Sequence, residues 1–214
     1  MADLAGSVVS QRRLQEETAD RWSHLLRSAL GNDLIGAQII INWLYANGIE
    51  PGDFASTIRR VLSCEDHKRN VLFIVGRPNT GKTMIAELIC QPFLKGTLPN
   101  QGNLSEYYYG GLLNKSIAFV EEPFLTPALA NDFKNILGGK DFQIAKKFTD
   151  RQYMKRTPFV VTTNDIRFGR GFVASVDEEA LQLRCFRFNI NQPCNTNGHI
   201  LTLNSLVTFL NHYQ

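Results

Sequence analysis

The sequence of 214 residues predicts an α/β protein, a central parallel sheet preceded by a small helical bundle. Three observations carry this reading. Up to about Asn70, apolar residues recur at helical spacing between charged ones. Beyond Asn70, short apolar runs alternate with helical stretches, the pattern of strands joined by crossover helices. One strand-to-helix junction, Gly76 to Thr83, also carries the glycine spacing of a phosphate-wrapping loop. The chain therefore divides into a helical subdomain, residues 1–69, and a nucleotide-binding core, residues 70–214.

Taken in order, Gln11 to Leu30 sets Leu14, Trp22, Leu25, Leu26 and Leu30 near helical spacing and stops at Gly31-Asn32. Asp33 is placed to cap a second helix that reaches Ala46 and ends at Asn47-Gly48. Pro51 to Leu62 reads as a third. The strands expected after it are Val71–Val75, Ile117–Val120, Phe159–Thr162 and Cys185–Ile190. Between and after them, helices are expected at Lys82–Gln91, Pro127–Leu137 and Leu203–His212.

Composition removes several classes of function. Apolar residues make up 43% and charged residues 20%, enough for a packed core and unlike a disordered chain. The longest apolar stretch, Leu34 to Ala46, is interrupted by Gln38 and Asn42 and falls short of the roughly 18 residues of a bilayer span. Met1 to Ser10 lacks the basic and apolar blocks of a secretory signal, so a soluble protein with no membrane partner is expected. Cys64, Cys90, Cys185 and Cys194 are far apart, as in a reducing compartment. Cys64 and His67 have metal-ligand spacing, but no second pair completes a zinc site. The net charge of +3 is mild, yet Gly138 to Arg170 alone is net +5. A concentrated basic segment suits a phosphate backbone better than the overall balance does.

Gly76-Arg77-Pro78-Asn79-Thr80-Gly81-Lys82-Thr83 meets every fixed position of G-x-x-x-x-G-K-[ST], with a strand before it and a helix after it. Glycines let backbone N–H groups close on phosphate oxygens at a helix N-terminus. Lys82 is expected to reach the β- and γ-phosphates of a nucleoside triphosphate. Thr83 is expected to ligate Mg²⁺ through its hydroxyl. Guanine recognition is disfavoured, because the nearest Asn-Lys-x-Asp candidate, Asn114-Lys115-Ser116-Ile117, lacks the Asp.

The strand Ile117–Val120 ends in Glu121-Glu122. Strand carboxyl ends face the ligand crevice in parallel sheets, so Glu121 is expected to hold Mg²⁺ and Glu122 to orient and polarise an attacking water. Thr157 to Asn164 is a further strand ending in polar residues, which puts Asn164 beside the γ-phosphate as a water-holding sensor. A P-loop kinase, a general ATPase and an inactive oligomeric DNA-binding scaffold remain alternatives. Against the first stand the carboxylate pair and the basic segment, and against the last the intact Lys82, Thr83 and Glu122.

These elements, in this order, resemble the superfamily 3 helicase domain of parvovirus-type large non-structural (Rep-like) replication proteins. The residues that carry the likeness are Asn70-Val71-Leu72-Phe73, the phosphate loop, Val120-Glu121-Glu122-Pro123, Lys134-Asn135-Ile136-Leu137-Gly138-Gly139 and Thr157 to Asn164. The resemblance implies an AAA+-like core and a homo-oligomeric ring, a hexamer. Such a ring hydrolyses ATP between subunits and moves on single-stranded DNA to open duplex DNA. It implies a DNA-contacting hairpin from Phe142 to Met154, with Lys147 at the main basic position, Lys146 beside it, and Phe148 or Tyr153 available for stacking. It implies that Arg184, in Leu181-Gln182-Leu183-Arg184-Cys185-Phe186, is an arginine finger for the neighbouring subunit, with Arg187 as the substitute. The first 69 residues would be an oligomerisation collar, and the host cell nucleus the place of action.

Family members often carry an acidic residue where this chain has Leu183, and another where it has Ala145. Relatives also bear a His-hydrophobe-His site and a nucleophilic Tyr upstream, whereas His24, His67, His199 and His212 are scattered, so a helicase domain without nicking or joining activity is expected. Tyr107-Tyr108-Tyr109 is read as packing rather than as a base-stacking platform.

Overall fold

The computed structural model describes residues 2–99, 108–146, 149–171 and 173–213. Four helices open the chain: α1 (Ala2–Ala19), α2 (Arg21–Arg27), α3 (Leu34–Ala46) and α4 (Pro51–Leu62). There follow β1 (Val71–Val75), α5 (Lys82–Cys90), β2 (Lys95–Gly96), β3 (Ile117–Glu121), α6 (Pro127–Leu137), β4 (Phe142–Lys146) and β5 (Thr149–Met154). The rest is β6 (Phe159–Thr163), α7 (Ser175–Gln182), β7 (Cys185–Asn189) and α8 (Leu203–His212).

Five strands form a sheet in the order β2-β3-β6-β1-β7, every neighbouring pair parallel. All five residues of β1, which lies between β6 and β7, are buried. Successive side chains of a strand point to opposite faces, and the sheet uses both. Leu72, Ile74, Phe119, Val160 and Phe186 pack into one core with residues of α2, α3, α4, α5 and α8. Val71, Phe73, Val75, Val120 and Val161 pack into the other, with α6, Ile144 and Met154 of the hairpin, and Phe168. Cover on both faces is what an all-parallel sheet requires. The likeness to AAA+-like cores lies in this sheet with its crossover helices. β4 and β5 form a separate antiparallel hairpin with an irregular register between Ile144 and Lys146.

The first helix departs from expectation. Instead of one helix from Gln11 to Leu30, α1 and α2 meet at Asp20, whose side chain accepts the Ser23 N–H at 3.0 Å and whose backbone is extended (φ −154°). An Asp side chain offers the backbone an alternative partner and so starts a new helix where apolar spacing suggested continuity. Leu30 lies past the end of α2 and is 99% exposed. A buried residue that anchors α1 is Glu17, which accepts from Arg13 (2.7 Å), from the Leu94 N–H (2.6 Å) and from the Ser116 hydroxyl. Smaller differences are a two-residue β2 and helix α7, both missing from the sequence reading. β3, β6, β7 and α5 end within one residue of the expected positions. Among the described residues no helix is long and apolar enough to cross a membrane.

Asp33 joins the two ends of the chain. It caps α3 by accepting the Gly36 N–H (2.9 Å), and its other oxygen accepts from the Ser205 hydroxyl of α8 and from His199 Nε2 (2.9 Å). Burial alone would raise its carboxyl pKa, but the hydrogen bonds from Ser205, His199 and Gly36 reverse this and hold it at about 2. A carboxyl depressed below its unfolded value stabilises the fold above that value, and the contribution is lost as pH falls through the folded pKa. Asp33→Asn is therefore expected to cost about 1–2 kcal/mol at pH 7, discounted for partial exposure. Urea unfolding of both proteins should show that difference shrinking as pH is lowered from 4 towards 2.

Candidate nucleotide-binding site

Parallel register builds the site. Val75 at the end of β1 pairs with Thr163 of β6, and Thr162 pairs with Glu121 at the end of β3. The residues that follow, Gly76, Asn164 and Glu122, are thereby delivered to one edge of the sheet. That edge forms a cleft of about 270 Å³, lined by the loop from Pro78 to Met84 and by Glu121, Glu122, Thr162 and Asn164.

The loop turns sharply out of β1. Gly76 has φ +147° and donates its N–H to Thr163 O at 3.2 Å. A Cβ there would sit 1.8 Å from Ile190 O, so only glycine allows the approach to the chain leaving β7. Gly81, at φ +90°, starts α5 in the left-handed region. Thr80 donates to Arg77 O at 2.9 Å and closes the loop on itself.

Lys82 is only 5% exposed. Its ammonium donates to Asn164 Oδ1 (3.1 Å), Thr80 Oγ1 (3.2 Å) and Arg77 O, all neutral oxygens. Burial lowers its pKa, with the charges of Glu122 and Glu121 acting in the opposite sense. A lysine this buried normally has an anionic partner. Glu121 and Glu122 do not supply one here, because each is held by other groups.

Glu121 Oε1 accepts from Thr83 Oγ1 at 2.7 Å. Glu122 accepts from the Asn164 N–H (2.8 Å) and from Thr163 Oγ1 (3.0 Å), while its own N–H continues the ladder to Thr162 O at 2.8 Å. Its φ of +48° is unusual for a residue with a side chain and costs about 1–2 kcal/mol. Strain of this kind gathers at functional positions. Thr162 Oγ1, in the cleft wall, is buried with no hydrogen-bond partner. The cleft therefore combines a desolvated cation, two hard oxygens 2.7 Å apart, an orphaned hydroxyl and a loop at a helix N-terminus. These features fit a polyphosphate with a small divalent cation.

All the sequence-predicted nucleotide residues, Gly76 to Thr83 with Glu121, Glu122 and Asn164, come together here. The remaining candidates lie elsewhere. Arg184 precedes β7 at the opposite end of the sheet, and its guanidinium donates to Lys134 O (2.7 Å) and Ala180 O, at the carboxyl ends of α6 and α7. Arg187 is exposed on edge strand β7 and donates to Asn189 Oδ1 at 3.1 Å. Lys146 ends β4, paired with Thr149, whereas Lys147, Phe148 and Tyr107 lie outside the described residues. Tyr108 and Tyr109 are buried, edge-to-face with each other and close to Phe133, so they pack rather than present a platform. The sequence reading missed Thr162 and Thr163. Their signal was the threonine pair immediately before Asn164.

The chain is similar to several known proteins. The chain is 26% identical over 170 residues to Rep52 of adeno-associated virus 2, covering 74% of this chain and 40% of Rep52. It is 30% identical over 105 residues to the initiator protein NS1 of murine minute virus, covering 49% of this chain and 16% of that protein. The chain thus spans less than half the length of these relatives. Among solved structures, a JCV helicase covers 88% of the chain at 15% identity with a TM-score of 0.57, the match taking in 57% of that helicase. The NrS-1 C-terminal region covers 85%, again at 15% identity and a TM-score of 0.57, with 46% of that chain matched. At this identity the two structures speak for the fold alone. A family model for the parvovirus non-structural protein NS1 matches residues 16–214. Because the match takes in both faces of the sheet and the whole cleft, the chain belongs to that family.

Proposed function

We propose that the chain is the ATP-hydrolysing helicase domain of a viral replication initiator. In this reading it is a superfamily 3 motor that works as a homo-oligomeric ring, a hexamer, on single-stranded DNA and unwinds duplex DNA in the host cell nucleus. One observation carries the proposal: Lys82 is buried against neutral oxygens in a cleft whose carboxylates are held apart from it. A nucleotide phosphate supplies the missing anion.

ATP lies along Gly76, Arg77, Pro78, Asn79, Thr80, Gly81, Lys82 and Thr83. Lys82 follows the β- and γ-phosphates, and Thr83 and Glu121 would hold Mg²⁺. That ion would supply charge neutralisation on the phosphates. Glu122 orients the attacking water and takes up its proton. Asn164 holds that water from the end of β6 and, through its Oδ1, keeps Lys82 aligned.

Arg184 lies at the far end of the sheet from its own cleft, which supports action on a neighbour's nucleotide. To reach out, it gives up Lys134 O and Ala180 O. Lys146 and Lys147, in a segment of net charge +5, grip DNA phosphates without reading sequence. Residues 1–69 serve as an oligomerisation collar and residues 70–214 as the ATPase. The names of the relatives, initiator protein NS1 and Rep52, support the viral replication role.

The deciding experiment measures ATP hydrolysis with and without single-stranded DNA at several protein concentrations and low salt. DNA stimulation that rises faster than linearly with protein is expected of sites shared between subunits. Hydrolysis indifferent to DNA returns the chain to a kinase or a general ATPase, and no hydrolysis makes it a scaffold. Lys82→Ala is expected to lower hydrolysis by about 100-fold or more, and Glu122→Gln by a similar factor while nucleotide still binds. A mixture of Arg184→Ala and Lys82→Ala chains, each inactive, should partly recover activity. Failure to recover despite co-assembly removes Arg184 from the role.

A further inference from the structure

Trp43 belongs to no motif, yet it touches the phosphate loop. It is 2% exposed, and its indole N–H donates to the carbonyl oxygen of Thr80 at 2.8 Å. One turn later, at the carboxyl-terminal cap of α3, Asn47 Oδ1 accepts the backbone N–H groups of Asn191 (2.7 Å) and Gln192 (2.8 Å). That segment leads to Cys194, whose Cβ lies 2.9 Å from where a Cβ on Gly81 would be. Phe54 sets the indole ring, edge-to-face at 6.5 Å. The carboxyl-terminal half of α3 and the chain leaving β7 therefore back the loop on the side away from the cleft.

A trans peptide holds its C=O and N–H on opposite sides, and no cis bond occurs among the described residues. With the Thr80 oxygen drawn to Trp43, the N–H of Gly81 is turned away from α3. Loops of this kind hold anions through their backbone N–H groups, so the aim of each peptide plane matters. We propose that Trp43 is a positioning residue for the nucleotide. Its N–H fixes the Thr80–Gly81 peptide before ligand arrives, which removes part of the ordering cost of binding. The inference rests on reading the cleft as a nucleotide site.

Trp43→Phe removes the donor and keeps an aromatic ring, a smaller one, at the buried position. Calorimetric titration of the full chain with Mg-ADP should show affinity reduced about five- to tenfold in Trp43→Phe. ATP turnover should show KM raised and kcat within about twofold, the pattern of lost uniform binding. A purely structural role would lower the active fraction and leave KM unchanged, and that result, or unchanged ADP affinity, overturns the proposal. A second measurement does not depend on the variant folding. In the wild-type chain, the indole N–H resonance of Trp43, told from that of Trp22 by Trp22→Phe, should shift on adding Mg-ADP. A resonance that stays put overturns the assignment. Absence of ADP binding by the wild-type chain overturns the nucleotide reading itself, and this inference with it.

Discussion

The register of β1 against β6, and of β6 against β3, is the constraint on which the molecule depends. Val75 faces Thr163 across one pair and Glu121 faces Thr162 across the other. A slip of one residue would send every side chain of a strand to the opposite face. Val120 would leave the core it shares with Phe133 and Phe168, and Glu121 would be drawn towards it. Each fully buried aliphatic or aromatic side chain is worth roughly 1.5–3 kcal/mol, so the register is held by many such residues on both faces. The polar chemistry at the strand ends adds little to that stability. It inherits its geometry from the apolar packing behind it.

Given that geometry, the arrangement of charge is informative. A buried lysine and two carboxylates share one cleft, and the simplest outcome would be an internal ion pair. Instead Glu121 is taken by Thr83, and Glu122 by Thr163 and the Asn164 N–H, while Lys82 faces neutral oxygens. Keeping them apart leaves the cation desolvated, with its pKa lowered mainly by burial. It also leaves the cation open to a phosphate, and each carboxylate already oriented by its neighbour. The left-handed backbone of Glu122 is part of the same arrangement, since it turns the carboxylate back onto the end of β6.

How much of this was legible in the sequence depended on the physical nature of each signal. Strands buried on both faces are continuous apolar runs, and β1, β3 and β6 were found within a residue of their ends, as was the edge strand β7, whose apolar residues alternate with Arg187 and Asn189. The phosphate loop was legible because its glycines answer local steric demands. Asp20 was missed because a capping side chain competes with an apolar spacing that runs on through it. Helix α7 was missed because, of Ser175 to Gln182, only Leu181 is buried, leaving almost no apolar periodicity to read. Trp43 was out of reach for another reason. Its partner is 37 residues away, and a buried indole announces that it needs an acceptor without saying which.

Helix α3 makes the boundary after residue 69 a division of sequence pattern rather than of packing. Its first turn is tied to α8 through Asp33, Ser205 and His199. Its last turns hold the phosphate loop through Trp43 and the chain beyond β7 through Asn47. The helix itself contains no charged residue, and Leu34, Ile35 and Tyr45 on its outer side are exposed. An apolar helix of this kind transmits displacement as a rigid body, because its inner side is close-packed and cannot yield locally. A shift of α3 is therefore passed to the Thr80 peptide of the loop through the Trp43 hydrogen bond.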